Sequence, residues 1–354
     1  MKIGITKLIP ENIAPTNANG LAIFDGDTKI CTVAIDKMHP DNIGDKLYSF
    51  GVISDTHIYF TSGYEERSNR LDAALTFFEN QGASFVCHCG DMTNIGFWYT
   101  AEDTEIYPYQ FAEYKRICDL HSELPVYAVC GNHESYNKSI ANNLAELEEY
   151  TGHGLAFTVT QGNDVFVFVG QSVATLPMSD EHLQWLYETL EANRNKRTFV
   201  VFHSVIDDTD AGDPSGAYVH DLFDNWGTKK TAFINMMRHY RNTISFHGHT
   251  HVNPNVQTKI KNVNYSTVLG LRSMHIPSTA YCRGLIDGAL VEDSPRTGFC
   301  YIADVYENHV VFKCYDIVTS EFVPIAQYCI NMEAVEIPAN TFVDSTGTII
   351  TNQQ

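Results

Sequence analysis

Residues Leu47–His57 read LYSFGVISDTH, an apolar run that breaks off into Asp55-Thr56-His57. An uninterrupted run of this kind, bounded by polar residues, reads as a buried strand. The pattern returns along the chain. SFVCHCGD ends on Gly90-Asp91, and PVYAVCGNHE ends on Gly131-Asn132-His133-Glu134. RTFVVFHS carries His203, and NTISFHGHTH ends on Gly248-His249-Thr250-His251. In each case an apolar strand delivers polar, metal-competent side chains where it stops.

Helical patterns separate these strands. EERSNRLDAALTFFENQG is amphipathic with Gly82 as its stop, and EIYPYQFAEYKRICDLHSE and IANNLAELEEYTG follow as helices. FTVTQGNDVFVFVGQ reads as a hairpin. SDEHLQWLYETLEAN is a helix with Ser179 as its N-cap, and TKKTAFINMMRHY is another. Strands alternating with helices specify an α/β class with a largely parallel portion. From about Val263 onward the chain is mostly β. Residues 1–46 read as a β-rich extension, 47–330 as the main domain and 331–354 as a C-terminal extension.

The bulk numbers narrow the function. At 354 residues and 44% hydrophobic, the chain buries a large core. No apolar run reaches membrane-spanning length, and the start lacks the apolar stretch of a secretory signal. Nine cysteines, several within apolar runs and none in a C-x-x-C pair, read as buried free thiols. Together these give the expectation of a cytoplasmic protein with no membrane partner. The formal net charge of -20 repels polyanions, which argues against nucleic acid and for a small substrate. The sequence sets no oligomeric state.

In an open α/β sheet ligands bind at the carboxyl ends of strands. Asp, Asn and His at those ends are oxygen and imidazole donors suited to Mn, Fe or Zn. Asp55 and His57 are two apart, as are His249 and His251, so an extended backbone is expected to turn each pair to one face. Any one of these pieces alone is common; their joint occurrence in this order carries the reading. His88 reads as core packing, His247 as structural or adjacent to the ligands, and His275 has no assigned role. Phe97, Trp98, Tyr99, Tyr136, Tyr218 and Tyr281 are mostly packing residues with the capacity to stack on a base. Arg283 reads first as a surface residue, with a phosphate contact as the alternative. The Asp/Gly-rich stretch after His203 reads equally as a substrate loop or a solvated insertion.

The series D-x-H, G-D, G-N-H-E, H, G-H-x-H resembles the calcineurin-like metallophosphoesterase superfamily, from about Leu47 to Thr279. The resemblance implies a four-layer α/β/β/α sandwich of two mixed sheets, with a dinuclear metal site at the strand ends. It implies two divalent ions (Mn, Fe or Zn), one held by Asp55, His57 and His251, the other by Asn132, His203 and His249. Asp91 would bridge them. His133 would be the catalytic acid or a stabiliser of the phosphoryl oxygens, with Glu134 orienting it or a ligand. A water held between two such ions loses its proton near neutral pH and becomes the nucleophile.

Departures from subfamily patterns narrow the substrate. GDMTNIGFWY lacks the arginine of the protein phosphatases, and Asn94 stands where purple acid phosphatases place a tyrosine ligand. What remains resembles the phosphodiesterase-like branch, acting on a small phosphodiester with cyclic nucleotides among the candidates. The alternatives are a phosphomonoesterase, a nuclease of the same superfamily, or a scaffold of this fold without catalysis. Retention of every ligand and of the acid histidine stands against the scaffold.

Overall fold

A computed structural model describes residues 21–25, 28–33, 43–59, 65–96, 106–136, 140–206, 226–227, 229–255, 264–267, 270–286, 289–292, 297–332 and 335–338. Phe97, Trp98, Tyr99, Tyr218 and most of the stretch after His203 lie outside these residues.

Two hairpins stand apart from the main sheets: β1 (Leu21–Asp25) with β2 (Thr28–Val33), and β12 (Arg283–Ile286) with β13 (Ala289–Glu292). The first main sheet is built on β3 (Tyr48–Ile53), β4 (Val86–His88) and β5 (Val126–Ala128), which run parallel. It is completed by β14 (Phe299–Val305), β15 (His309–Asp316) and β16 (Glu321–Asn331), added antiparallel, in the order β16-β15-β14-β3-β4-β5. The second sheet joins β6 (Ala156–Gln161), β7 (Asp164–Val169), β8 (Thr198–Val201), β9 (Thr243–His247), β10 (Tyr265–Ser266) and β11 (Ser273–His275). Its order is β10-β11-β9-β8-β7-β6, with antiparallel pairs only at its two edges. Both sheets are therefore mixed.

Side-chain alternation makes the layers. Phe50 and Val52 of β3 point between the sheets, where they meet Phe166 and Phe168 of β7, Phe199 of β8 and Phe246 of β9. The Phe50 ring stands edge-on to Phe166 at 4.9 Å and to Phe199 at 5.2 Å, the geometry aromatic quadrupoles prefer. On the outer side of the first sheet lie α1 (Glu65–Asn80), α2 (Ile106–Leu120) and α4 (Ile140–Thr151), packed through Leu71, Leu75, Phe78, Phe111 and Leu147. On the outer side of the second, Val165, Val167 and Val200 meet α5 (Asp180–Ala192) and α6 (Lys229–His239). The result is helix, sheet, sheet, helix. The short α3 (Asn132–Ser135) sits directly after β5.

Local signals agree with this assembly. Ser179 caps α5, its hydroxyl accepting the His182 N–H at 3.0 Å. The segment after β16 returns to the second helical layer. Ile337 is buried against it, and Val335 exchanges hydrogen bonds with the Asn242 side chain.

Candidate metal centre

Five strands of the two sheets run out at one edge, and their following residues converge. β3 leads to Asp55 and His57, β4 to Asp91, β5 to Asn132 and His133, β8 to His203, and β9 to His249 and His251. All are buried except His133, which keeps a partly exposed ring.

The backbone that presents them is not extended. Asp55 has φ 53°, His57 43°, Asp91 56°, His249 74° and His251 58°. The expectation that plain alternation turns Asp55 with His57, and His249 with His251, is corrected here: left-handed residues do it. Such conformations cost about 1–2 kcal/mol each for residues other than glycine, and they gather at functional sites. Two glycines make the turns possible. Gly90 has φ +96°, and a Cβ on Gly131 would fall on the Asp91 carboxylate.

Two groups of donor atoms form. Asp55, His57, Asp91 and His251 each place one ligand atom within 4.8 Å of the others. Asp91, His203 and His249 do the same. His57 Nε2 faces His251 Nε2 at 2.9 Å, and His251 Nε2 lies 3.1 Å from Asp55 Oδ1. On the other side, His203 Nε2 lies 2.9 Å from Asn132 Oδ1, 3.2 Å from His249 Nδ1 and 3.1 Å from Asp91 Oδ2. Asp91 belongs to both groups.

The donor chemistry fits cations. Asp55 and Asp91 are buried carboxylates whose ion-pair partners, among the described residues, are histidines alone. Buried negative charge needs a compensating positive charge. Burial opposes ionisation of both groups, yet His251 beside Asp55 and His203 beside Asp91 hold them below the usual carboxylate range. Burial lowers His57 and His251 to about 4, so both imidazoles are neutral and ready to donate a lone pair. His203 is the exception. Burial works against its charge, but Asp91 raises its pKa to about 10. Its Nδ1 lies 2.8 Å from the Cys89 carbonyl, which takes the Nδ1 proton and leaves Nε2 facing the donor group.

Supporting residues fix these donors. Ser54 Oγ donates to Asp55 Oδ2 at 2.5 Å, and the His249 N–H donates to the same oxygen at 3.0 Å. Asn132 Nδ2 donates to the Tyr136 hydroxyl at 3.2 Å, which leaves Oδ1 facing His203. Glu134 belongs to neither group of candidate ligands. Its carboxylate accepts the N–H of Asp91, Gly131 and Thr93, and burial, with the Asp91 charge second, raises its pKa to about 7. His133 Nε2 lies 3.8 Å from Asp91 Oδ2, and burial brings its pKa down to about 3.

Sequence reasoning passed over Arg67. From α1 it donates to the His57 carbonyl at 2.9 Å and stands over the Tyr281 ring at 5.1 Å. That ring in turn lies 4.6 Å from His251. Nothing in the helical pattern marks Arg67, since it occupies a polar position on an amphipathic helix. Ser278, whose hydroxyl donates to the Asp55 carbonyl at 2.8 Å, was equally silent.

The family model for calcineurin-like phosphoesterases matches residues 48–253, more than half of the chain. The chain belongs to the calcineurin-like phosphoesterases. Membership makes it a metal-dependent phosphohydrolase by family. Among solved structures, a dimetal phosphatase from Danio rerio is similar at 17% identity and TM-score 0.57, over 79% of this chain and all (100%) of that one. GAP50, the anchor in the inner membrane complex of Plasmodium, matches at 12% identity and TM-score 0.46, over 83% and 91%. Yfce, a phosphoesterase from E. coli, matches at 11% and 0.36, over 80% and 100%. At 17% identity the likeness to the Danio rerio protein shows the fold alone. No match emerges among the curated proteins. No helix among the described residues is long and apolar enough to cross a membrane.

Proposed function

We propose that this calcineurin-like phosphoesterase hydrolyses a small phosphodiester at a centre of two divalent ions, Mn, Fe or Zn. The observation that carries the reading is Asp91, one carboxylate common to both donor groups. Asp55, His57 and His251 would hold one ion, Asn132, His203 and His249 the other, and Asp91 would serve both. Bound there, two ions would supply charge neutralisation for the phosphoryl oxygens and a more acidic water as nucleophile.

The chain's own residues supply the rest. Cys89 and Tyr136 orient His203 and Asn132. His133 is the catalytic residue that meets the leaving oxygen. Its ring is neutral in the free protein, and the negative charge of a bound phosphate supports the proton it must carry. Tyr281, held under Arg67, forms the wall beside His57 and His251.

Support for a diester comes from two places. The segment after Asp91 lacks the arginine expected of a protein phosphatase. Asn94, at the tyrosine position of purple acid phosphatases, is engaged by Arg67 Nη1 at 3.0 Å. The net charge of -20 continues to argue against nucleic acid. None of the eight cysteines with described side chains is in a disulfide, which suits a reducing cytoplasm. We assign residues 47–330 to the catalytic domain, with 1–46 and 331–354 as extensions.

The test strips the protein with chelator, restores Mn, Fe or Zn, and compares bis-p-nitrophenyl phosphate with p-nitrophenyl phosphate. Metal-restored cleavage favouring the diester is expected. Preference for the monoester makes the protein a phosphomonoesterase, and no cleavage of either by metal-loaded protein contradicts the proposal.

A further inference from the structure

The two sheets present their donor residues through the same device. β3 ends at Ile53, and Asp55 and His57 follow two and four residues on. β9 ends at His247, and His249 and His251 follow at the same offsets. A threonine stands between the members of each pair: Thr56 in one, Thr250 in the other. All four flanking residues are left-handed.

Each of these strands has a parallel neighbour that ends in a histidine. On β4, His88 is in register with Ile53; on β11, His275 is in register with His247. His88 Nε2 lies 3.0 Å from Thr56 Oγ1, and His275 Nε2 lies 3.0 Å from Thr250 Oγ1. Both histidines and both threonines are fully buried.

The direction of the first contact is fixed by its surroundings. The Gly90 N–H donates to His88 Nδ1 at 3.1 Å, so Nδ1 is the acceptor and Nε2 carries the ring proton. Nε2–H then donates to Thr56 Oγ1, whose own proton goes to the Met92 carbonyl at 3.0 Å. His88 thus ties the loop of Asp55 and His57 to the turn that carries Asp91.

We infer that His88 and His275 are a matched pair of positioning residues that act through Thr56 and Thr250 to hold the metal-binding loops in their left-handed shape. This rests on the two-metal reading of the site. Positive φ is uncommon for any residue but glycine, although Asp and His tolerate it better than most, so a loop released from its threonine relaxes and its donor atoms part. Outer residues that orient ligands commonly change metal affinity by about 10–100-fold.

The test uses the full chain and measures affinity for Mn and Zn by competition with a chelator. It also measures the melting temperature of metal-free protein. The variants are Thr56→Val and Thr250→Val, which keep shape and remove the hydroxyl. Thr198→Val is the control, because Thr198 is also buried but its hydroxyl donates to the Lys196 carbonyl, away from the centre. Thr56→Val and Thr250→Val are expected to lose about 10-fold or more in metal affinity. Thr198→Val is expected to lose stability alone. His275→Gln, which keeps a hydrogen-bonding group near the Nε2 position, is expected to hold metal better than His275→Phe. Wild-type affinity in both threonine variants, or a loss no greater than in Thr198→Val, overturns the inference; so does equal loss in the two His275 variants. Wild-type protein that takes up no metal overturns the two-metal reading itself, and the inference with it.

Discussion

Glu134 and Asp91 hold each other in place across the gap between two strand ends. The Asp91 N–H donates to Glu134 Oε2 at 3.0 Å, and Asp91 Oδ1 accepts the N–H of His133, the residue before Glu134, at 2.9 Å. Glu134 Oε1 also accepts from the N–H and hydroxyl of Thr93. One buried carboxylate thereby shapes the turn that aims another.

Glu134→Gln tests this arrangement. An amide cannot accept at both ends, so one of the facing N–H groups is left without its acceptor. The metal-free protein is expected to lose about 1–3 kcal/mol, the cost of a buried unsatisfied donor. Denaturant unfolding of the two proteins side by side measures it, and unchanged stability contradicts the role.

Tyr136→Phe removes the hydroxyl that takes the Asn132 amide protons. The amide is then free to turn its nitrogen towards His203. Metal affinity is expected to fall by about 10-fold, the lower end for an orienting residue. Chelator competition reads it directly, and full affinity would leave Asn132 oriented by something other than Tyr136.

His133→Ala is expected to keep its metal and lose rate. The loss should reach about 100-fold or more on a substrate with an alkoxide leaving group, where a proton donor matters. It should be much smaller with p-nitrophenolate, which leaves without help. Equal losses on both substrates contradict the acid role.

His203 gives a pH prediction. Burial disfavours its charge, but Asp91 raises its pKa to about 10 in the metal-free protein. The unfolded chain gives up that proton near the ordinary histidine value, about 6.5. The stabilisation is therefore complete below that value and lost as pH rises through 10. A metal ion accepts only the neutral ring, so uptake at pH 8 should expel this proton. Calorimetric titrations in buffers of differing ionisation enthalpy measure the release. Uptake without net proton release would contradict the assignment.

Much of this was legible in the sequence, because the signals are local. The runs ending in Asp55-Thr56-His57 and Gly131-Asn132-His133-Glu134 announce buried strands and the donors at their ends. The strand–helix alternation gives the class. What stayed hidden depends on register between strands distant in the chain. Nothing in SFVCHCGD or SMHIPST says that His88 and His275 each stand beside a threonine in the loop after another strand. The left-handed backbone at Asp55, His57, His249 and His251 was missed for a related reason. Only Gly248 among the neighbouring residues hints at it, and simple alternation offered an easier explanation for the same spacing. Arg67 reaches the centre from a helix whose pattern shows only which face is apolar.

The most direct test of the account is anomalous diffraction from crystals of the protein loaded with manganese. Two peaks are expected about 3.5–4 Å apart, with the Asp91 carboxylate between them, Asp55, His57 and His251 around one, and Asn132, His203 and His249 around the other. A single peak, or metal bound away from Asp91, would contradict it.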